Sequence, residues 1–492
     1  MLEDNSATAL AGASQLRSTL RQKIDDNSLT PVPEDQRKSG WYLSWLPAGI
    51  ATSLLQLTIA GSITALVGSV WGLVAGAMVG TFVMALGWLF GNIARVEGLS
   101  STVLPRFYGL GLRGSALSSL AFGIMIIGLC ASENVLLYNG TLFAFGWHDS
   151  VGLRILIYGA LTVAWVLLSM FGIKVVTRTS SILVLAFLCL LGYMMFQIYH
   201  GSSVSLADAF TQASTVATGS DSSRFITVIG MLGGQGGALM LVNADYNRYA
   251  RSGRAVGIVS LSSVIMLDIV GIALGIVVLT GGNRLVGDYL VHHGLATNAT
   301  AFAQANALAA HNTGAYFVIL SGLAGFALMY VAQTKVQVLN VYSGSLALAN
   351  LCYVLSGRHP NRLVMILVTN VICLLMIAAN VFGQLSGFLS VLGIVIVGFI
   401  ALAIADYYVV ARSRRRAAAD VETVNWAGVL SLAFASVVAY LLSETGVFPF
   451  GFVTSTVIVL LVYPVVRMKL VKPRVGVEPA PAVVESGRVG RV

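Results

Sequence analysis

Between Leu46 and Val466 the chain is a succession of apolar runs, each about as long as the ~20 residues a helix needs to cross a bilayer. Twelve such spans can be drawn, at 46–69, 72–94, 114–139, 153–173, 180–199, 225–244, 255–280, 314–336, 363–382, 386–409, 426–443 and 448–466. Nothing else in the sequence restricts the fold so strongly. Hydrocarbon offers no water to backbone polar groups, so only helices or closed barrels can cross it, and long uninterrupted apolar runs select helices. The expected fold class is an all-α polytopic membrane protein. With 57% of 492 residues hydrophobic and 10% charged, a soluble domain of this size would lack the polar surface it needs.

The net charge of +9 invites a nucleic-acid reading, which the placement of the charges removes. Of the 29 Lys and Arg, all but Arg154, Arg224, Arg284 and Lys335 fall in the two tails and in alternate loops. This is the positive-inside pattern, and it puts both termini in the cytoplasm of an inner or plasma membrane. Residues 1–40 are polar, lack the apolar core of a signal peptide and read as a cytoplasmic tail. The membrane domain is expected over 41–467, opened by the interfacial aromatics Trp41, Tyr42 and Trp45, and 468–492 as a second cytoplasmic tail. The apolar run from Val336 to Gly357 precedes an inward loop, so part of it is expected as a helix lying at the cytoplasmic interface.

The sixth span carries Gly233, Gly234, Gln235, Gly236 and Gly237 at its middle. Each interior glycine weakens a helix by about 1 kcal/mol relative to alanine. Unwound backbone at mid-membrane survives only beside a cavity or within protein, and secondary transporters use such breaks to present backbone groups to a solute. The same glycines also have the spacing of close helix packing, at Gly230/Gly234 and Gly233/Gly237. The glycines alone leave both readings open.

Charges inside spans cost about 2.5–3.5 kcal/mol each and usually face a solute or ion pathway. Apart from Arg154 and Asp406 at span ends there are three: Glu133 in the third span, Asp268 in the seventh and Lys335 near the inner end of the eighth. Glu133 also suits a structural ion pair or a neutral, hydrogen-bonded acid, Asp268 a backbone cap, and Lys335 a side chain snorkelling to the interface. The first span offers Thr52, Ser53, Gln56 and Thr58, of which Gln56 has the donors and acceptor to read an amide-like edge or to bridge two helices. Asp245, with Arg248 one turn on, and Asp406 end the sixth and tenth spans in similar Ala-Asp-Tyr settings. They read as structural or gating carboxylates bonded to loops or arginines.

No enzyme motif emerges. The glycine-rich segment lacks the Lys-Ser/Thr ending of a phosphate loop and the strand a dinucleotide site requires. Cys130, Cys189, Cys352 and Cys373 lack metal or redox spacing, and the six histidines lie in loops or at span edges. No cofactor is expected beyond a co-transported proton or sodium ion.

Four stretches resemble the nucleobase/cation symporter family, the purine, cytosine, allantoin and hydantoin permeases. They are Glu97–Phe107, Asn243–Ser252, Gln333–Leu346 and Ile404–Val410, and the resemblance runs from about Trp41 to Arg467. It implies a five-plus-five inverted repeat with two extra helices, broken first and sixth spans, and alternating access around a central site. It implies solute contacts at Gln56, at Glu133 where relatives place a ring-binding amide, at Gln235 and Gly236 on the sixth-span break, and at Gln337. Leu129 and Gly236 stand where relatives stack the ring on tryptophans, with Phe122 as a substitute. Sodium-coupled relatives carry paired hydroxyls where this chain reads Tyr330-Val331, and Lys335 follows a turn later. Lys335, Thr52, Leu55 and Asp268 therefore form the expected coupling set, with the lysine in the cation's place.

The function that follows is import of a small nitrogenous heterocycle across a lipid bilayer, sodium-independent and proton-coupled, with no nucleic-acid partner. The alternatives are an amino-acid or amine permease of the same fold and, from another class, a membrane receptor or channel.

Overall fold

A computed structural model describes residues 30–45, 49–50, 53–170, 173–201, 205–216, 219–358, 360–413 and 421–471, with 173–181 as backbone only. Twelve helices account for the expected spans: α1 Leu54–Val67, α2 Ser69–Glu97, α3 Ser115–Phe145, α4 Val151–Ser169, α5 Ile173–Gly201, α6 Asp221–Asn247, α7 Gly253–His292, α8 Thr313–Ser356, α9 Arg362–Ala378, α10 Phe382–Val410, α11 Trp426–Glu444 and α12 Gly451–Leu470. Ten are long and apolar enough to cross a membrane; α1 and α9 are shorter apolar helices. No strand occurs among the described residues, apart from an isolated bridge between Lys38 and Ala250.

The local chemistry sets the helix ends. Ser53 is extended, and its hydroxyl accepts the Gln56 N–H, so α1 begins at Leu54 although Ile50 is already helical. The first span is thus interrupted at Ser53, as its resemblance implied. Thr52 lies outside the described residues.

The sixth span differs from expectation. α6 runs without interruption through Gly233–Gly237, all of them buried. A side chain at Gly233 would strike Phe452, one at Gly234 the Leu389 carbonyl, and one at Gly236 the Val83 side chain. The helix keeps its hydrogen bonds because α2, α10 and α12 press against bare backbone. Close contact outweighs the propensity lost at each glycine.

The run from Val336 to Gly357 also differs. It is no interfacial helix but the direct continuation of α8, and most of it is buried. α8 is divided at Gly322, whose φ of 55° and ψ of −127° favour glycine, and ends at the left-handed Gly357. At about 1.5 Å per residue, the part from Leu323 to Ser356 is ~51 Å long, well beyond a ~30 Å hydrocarbon core.

α8 packs most extensively on α3 and α5, and α6 on α2 and α10, while α1 touches members of both groups. The basic loops gather on one face. There Arg106 bonds Asn350, the Arg248 Nη2 donates to the Tyr342 hydroxyl at 3.2 Å, and Arg362 lies over the Tyr342 ring. Residues 31–40, expected within a tail, are docked on this face. The Val32 N–H donates to Gly98 O (2.9 Å) and the Lys38 N–H to Tyr249 O (2.6 Å).

Candidate functional site

A cavity of about 50 Å³ lies between α1, α3, α6, α7 and α8. Leu55, Gln56, Leu129, Glu133 and Gln235 line it together, joined by Ser53 and Asn340. Its other walls are aliphatic, and none of its described lining residues is aromatic. Phe122 is buried elsewhere and does not line the cavity.

The polar groups are wired to one another. Gln235 Nε2 donates to Gln56 Oε1 at 2.7 Å, and Gln56 Nε2 donates to the Leu267 carbonyl at 3.2 Å. Gln235 Oε1 is buried without a partner. Opposite them, Asn340 Nδ2 donates to Glu133 Oε2 at 2.9 Å, and Ser53 reaches the same carboxylate. Gln333 spans the seam, accepting the Leu54 N–H (3.1 Å) and donating to Glu133 O (3.3 Å). It thereby ties the start of α1 to both α3 and α8.

Two expected solute contacts are absent from the cavity. Gly236 sits on the side of α6 that faces Val83 of α2. Gln337 donates to Cys130 O and Asn134 Oδ1, both at 2.9 Å, and so fastens α8 to α3.

Lys335 is fully buried, which removes the interfacial reading. Its Nζ donates to Ala332 O at 3.3 Å, stands 4.2 Å from the centre of the Phe187 ring and lies within electrostatic reach of Glu133. The Tyr330 hydroxyl pairs with Thr141 of α3 at 2.8 Å. The α8 residue that meets the start of α1 is Gln333. Asp268 is also fully buried, in a π-helical stretch of α7 spanning Ile265–Gly271, and does not line the cavity.

Asp245 and Asp406 hold the connection between α2 and α3 at two points. Asp245 Oδ1 accepts the Ser101 N–H and Asp406 Oδ2 the Gly109 N–H, each at 2.7 Å. Arg248 turns back on Asp245 through its Nε, which donates to the main-chain carbonyl at 3.2 Å.

Sequence reasoning missed Gln333 and Asn340. Gln333, Gln337 and Asn340 repeat at i, i+4, i+7, the spacing of one helix face. That stripe marks a continuing helix with a polar side.

Residues 31–462 match the family described as permease for cytosine/purines, uracil, thiamine, allantoin. No curated protein matches. Among solved structures, the fold is similar to that of Mhp1, a nucleobase-cation-symport-1 family transporter in a closed conformation with bromovinylhydantoin bound. The TM-score is 0.69 at 18% identity, covering 89% of this chain and 94% of that one. The inward-facing conformation of Mhp1 gives 0.68 at 18% identity, over 90% and 93%. A Na+-coupled sialic acid symporter in a substrate-bound outward-open state gives 0.61 at 15%, over 91% and 92%. With a family match over most of its length, the chain belongs to the permeases for cytosine/purines, uracil, thiamine and allantoin.

Proposed function

We propose that this chain imports a nucleobase or related small nitrogenous heterocycle by alternating access, independently of sodium and coupled to protons, with both termini cytoplasmic. The observation that carries the reading is the amide pair Gln56–Gln235 facing the Glu133–Asn340 pair inside one aliphatic cavity. Ring lactams and ureides alternate N–H donors and carbonyl acceptors along an edge, and side-chain amides match that alternation in kind. Aliphatic walls hold the ring faces without stacking. An engineered cavity of about 150 Å³ admits benzene, so about 50 Å³ is too small for one ring until the walls part. The bound state therefore needs a solute that replaces the Gln56–Gln235 bond and pushes α1 and α6 apart. The relationship to Mhp1, which binds bromovinylhydantoin, supports a ring with amide edges.

Sodium independence is supported by the buried Lys335. A cation ~4 Å from an ammonium is repelled by about 4 kcal/mol at an effective dielectric of 20. Lys335 takes the place of the ion, and Glu133 and Asp268 are the acids available to carry a proton. A thermal-shift screen of purines, pyrimidines, hydantoins, allantoin and amino acids on purified protein tests the solute class. Uptake into proteoliposomes under separate sodium and proton gradients then tests the coupling. Stabilisation by amino acids alone would return the chain to the amine-permease reading.

A further inference from the structure

Among the described residues, Asp268 is a buried acid used neither by the cavity nor, like Asp245 and Asp406, by a bond to the α2–α3 connection. Its side chain is fully buried, and both carboxylate oxygens lack a hydrogen-bond partner. The room it occupies is cut by glycines of α2. Gly76 lies against the Asp268 carbonyl, and a methyl group at Gly80 would come within 3.2 Å of Asp268 Oδ2. No cation lies close to it on the elements packed around it. α6 meets the turn where Leu239 packs on Leu267, and its charges there are Asp245 and Arg248, six and nine residues past Leu239 and so ~9 and ~14 Å farther along the helix. α1 has no ionisable side chain, and those of α2 are Arg95 and Glu97, 15 and 17 residues past Gly80 and so ~22–25 Å away along the helix. The stretch of α7 before it offers Arg254 at a comparable distance, and Ile272–Thr280 after it has no ionisable group. An ionised carboxylate so placed pays its full desolvation cost.

The π-helical turn joins this acid to the solute. Leu267, its neighbour, lines the cavity and receives the Gln56 side-chain amide, and a methyl group at Gly271 would touch that amide. Glu133, by contrast, has Asn340, Ser53 and Lys335 about it in the same arrangement.

From this we infer that Asp268 binds the coupling proton, and that the π-helical turn of α7 links its protonation to the solute through the Leu267–Gln56 bond. Seating the turn against Gly76 and Gly80 requires the neutral acid; ionisation drives the turn toward water and pulls Gln56 with it. The inference rests on the proposed proton-coupled transport, and two readouts separate the failure of each.

The first readout is infrared difference spectroscopy of purified protein at neutral pH, wild type against Asp268→Asn. The wild type is expected to show the high-frequency carbonyl stretch of a protonated carboxyl without a hydrogen bond, and the variant to lack it. The second is uptake of radiolabelled hypoxanthine, cytosine, uracil and allantoin into proteoliposomes. Asp268→Asn, a mimic of the neutral acid, is expected to keep solute exchange at equal pH and to lose accumulation driven by a proton gradient. An unchanged carbonyl band, or unchanged proton-driven accumulation, overturns the inference. Wild-type liposomes that move none of the four probes defeat the transport reading, and the infrared comparison still decides whether Asp268 holds a proton. Should Asp268→Asn fail to fold, Asp268→Glu takes its place. A displaced band and a shifted pH profile of uptake support the inference, and an unmoved band overturns it.

Discussion

Gln235 and Gln56 are bonded amide to amide at 2.7 Å, across a seam between α6 and the start of α1. The bond joins two residues that line the cavity, and Gln235 Oε1 remains a buried acceptor without a partner. Removing one member of a buried polar pair leaves its partner unpaired, at about 1–3 kcal/mol or roughly 5- to 150-fold in affinity. Gln56→Ala and Gln235→Ala are each expected to weaken solute binding by that factor in a competition assay. The double variant should lose less than the product of the two, because both act through one network. Wild-type affinity in both single variants would place the site elsewhere.

The glycines of α6 lead to a different expectation. Gly234 faces the Leu389 carbonyl and Gly393, and Gly236 faces Val83, so added side chains press on neighbouring helices. Gly234→Ala and Gly236→Leu are expected to destabilise the folded protein by about 1–3 kcal/mol through overpacking. Thermal unfolding in detergent checks this. A variant of unchanged melting temperature that loses only solute binding would restore the unwound-helix reading.

The spans were legible because bilayer thickness imposes a length on every apolar run, and α1–α12 fall where those runs lie. The glycine run was not legible as packing, because propensity counts what the helix loses and says nothing of Phe452, Leu389 or Val83 coming to meet it. The interruption at Ser53 had a local signal. Ser53-Leu54-Leu55-Gln56 has the S-x-x-Q form of a helix start, and the Ser53 hydroxyl accepts the Gln56 N–H at 3.0 Å. In the cavity, Gln56, Glu133 and Gln235 stood out as polar residues inside spans. Asn340 did not, because a span of ordinary length ends before it, whereas α8 carries on to Ser356.

Asp245 and Asp406 end α6 and the buried part of α10 with the same bond to the α2–α3 connection. Each carboxylate oxygen satisfies a buried main-chain N–H, on Ser101 and Gly109. Asp245→Ala and Asp406→Ala are each expected to cost about 1–3 kcal/mol of stability by stranding that donor. Asp406→Asn keeps an acceptor oxygen and should cost less. Solute affinity, measured on the protein that remains folded, should stay at the wild-type level. A selective loss of affinity would move these residues from structure to recognition.

Lys335 and Glu133 pose the last question, because they are buried within electrostatic reach of each other. Withdrawing one charge from such a pair typically costs about 3–5 kcal/mol, since the other is left uncompensated. Lys335→Ala is therefore expected to lower both thermal stability and uptake, and neutralising the acid should recover part of the loss. In a double-mutant cycle, Lys335→Ala combined with Glu133→Gln should be more stable than Lys335→Ala alone. If Lys335 has the role proposed for it, replacing sodium by choline should leave wild-type uptake unchanged. Strict sodium dependence of the wild type would refute that role. Equal stability of Lys335→Ala with and without Glu133→Gln would show instead that the lysine answers the Ala332 carbonyl and the Phe187 ring, and that Glu133 is balanced by Asn340 and Ser53 alone.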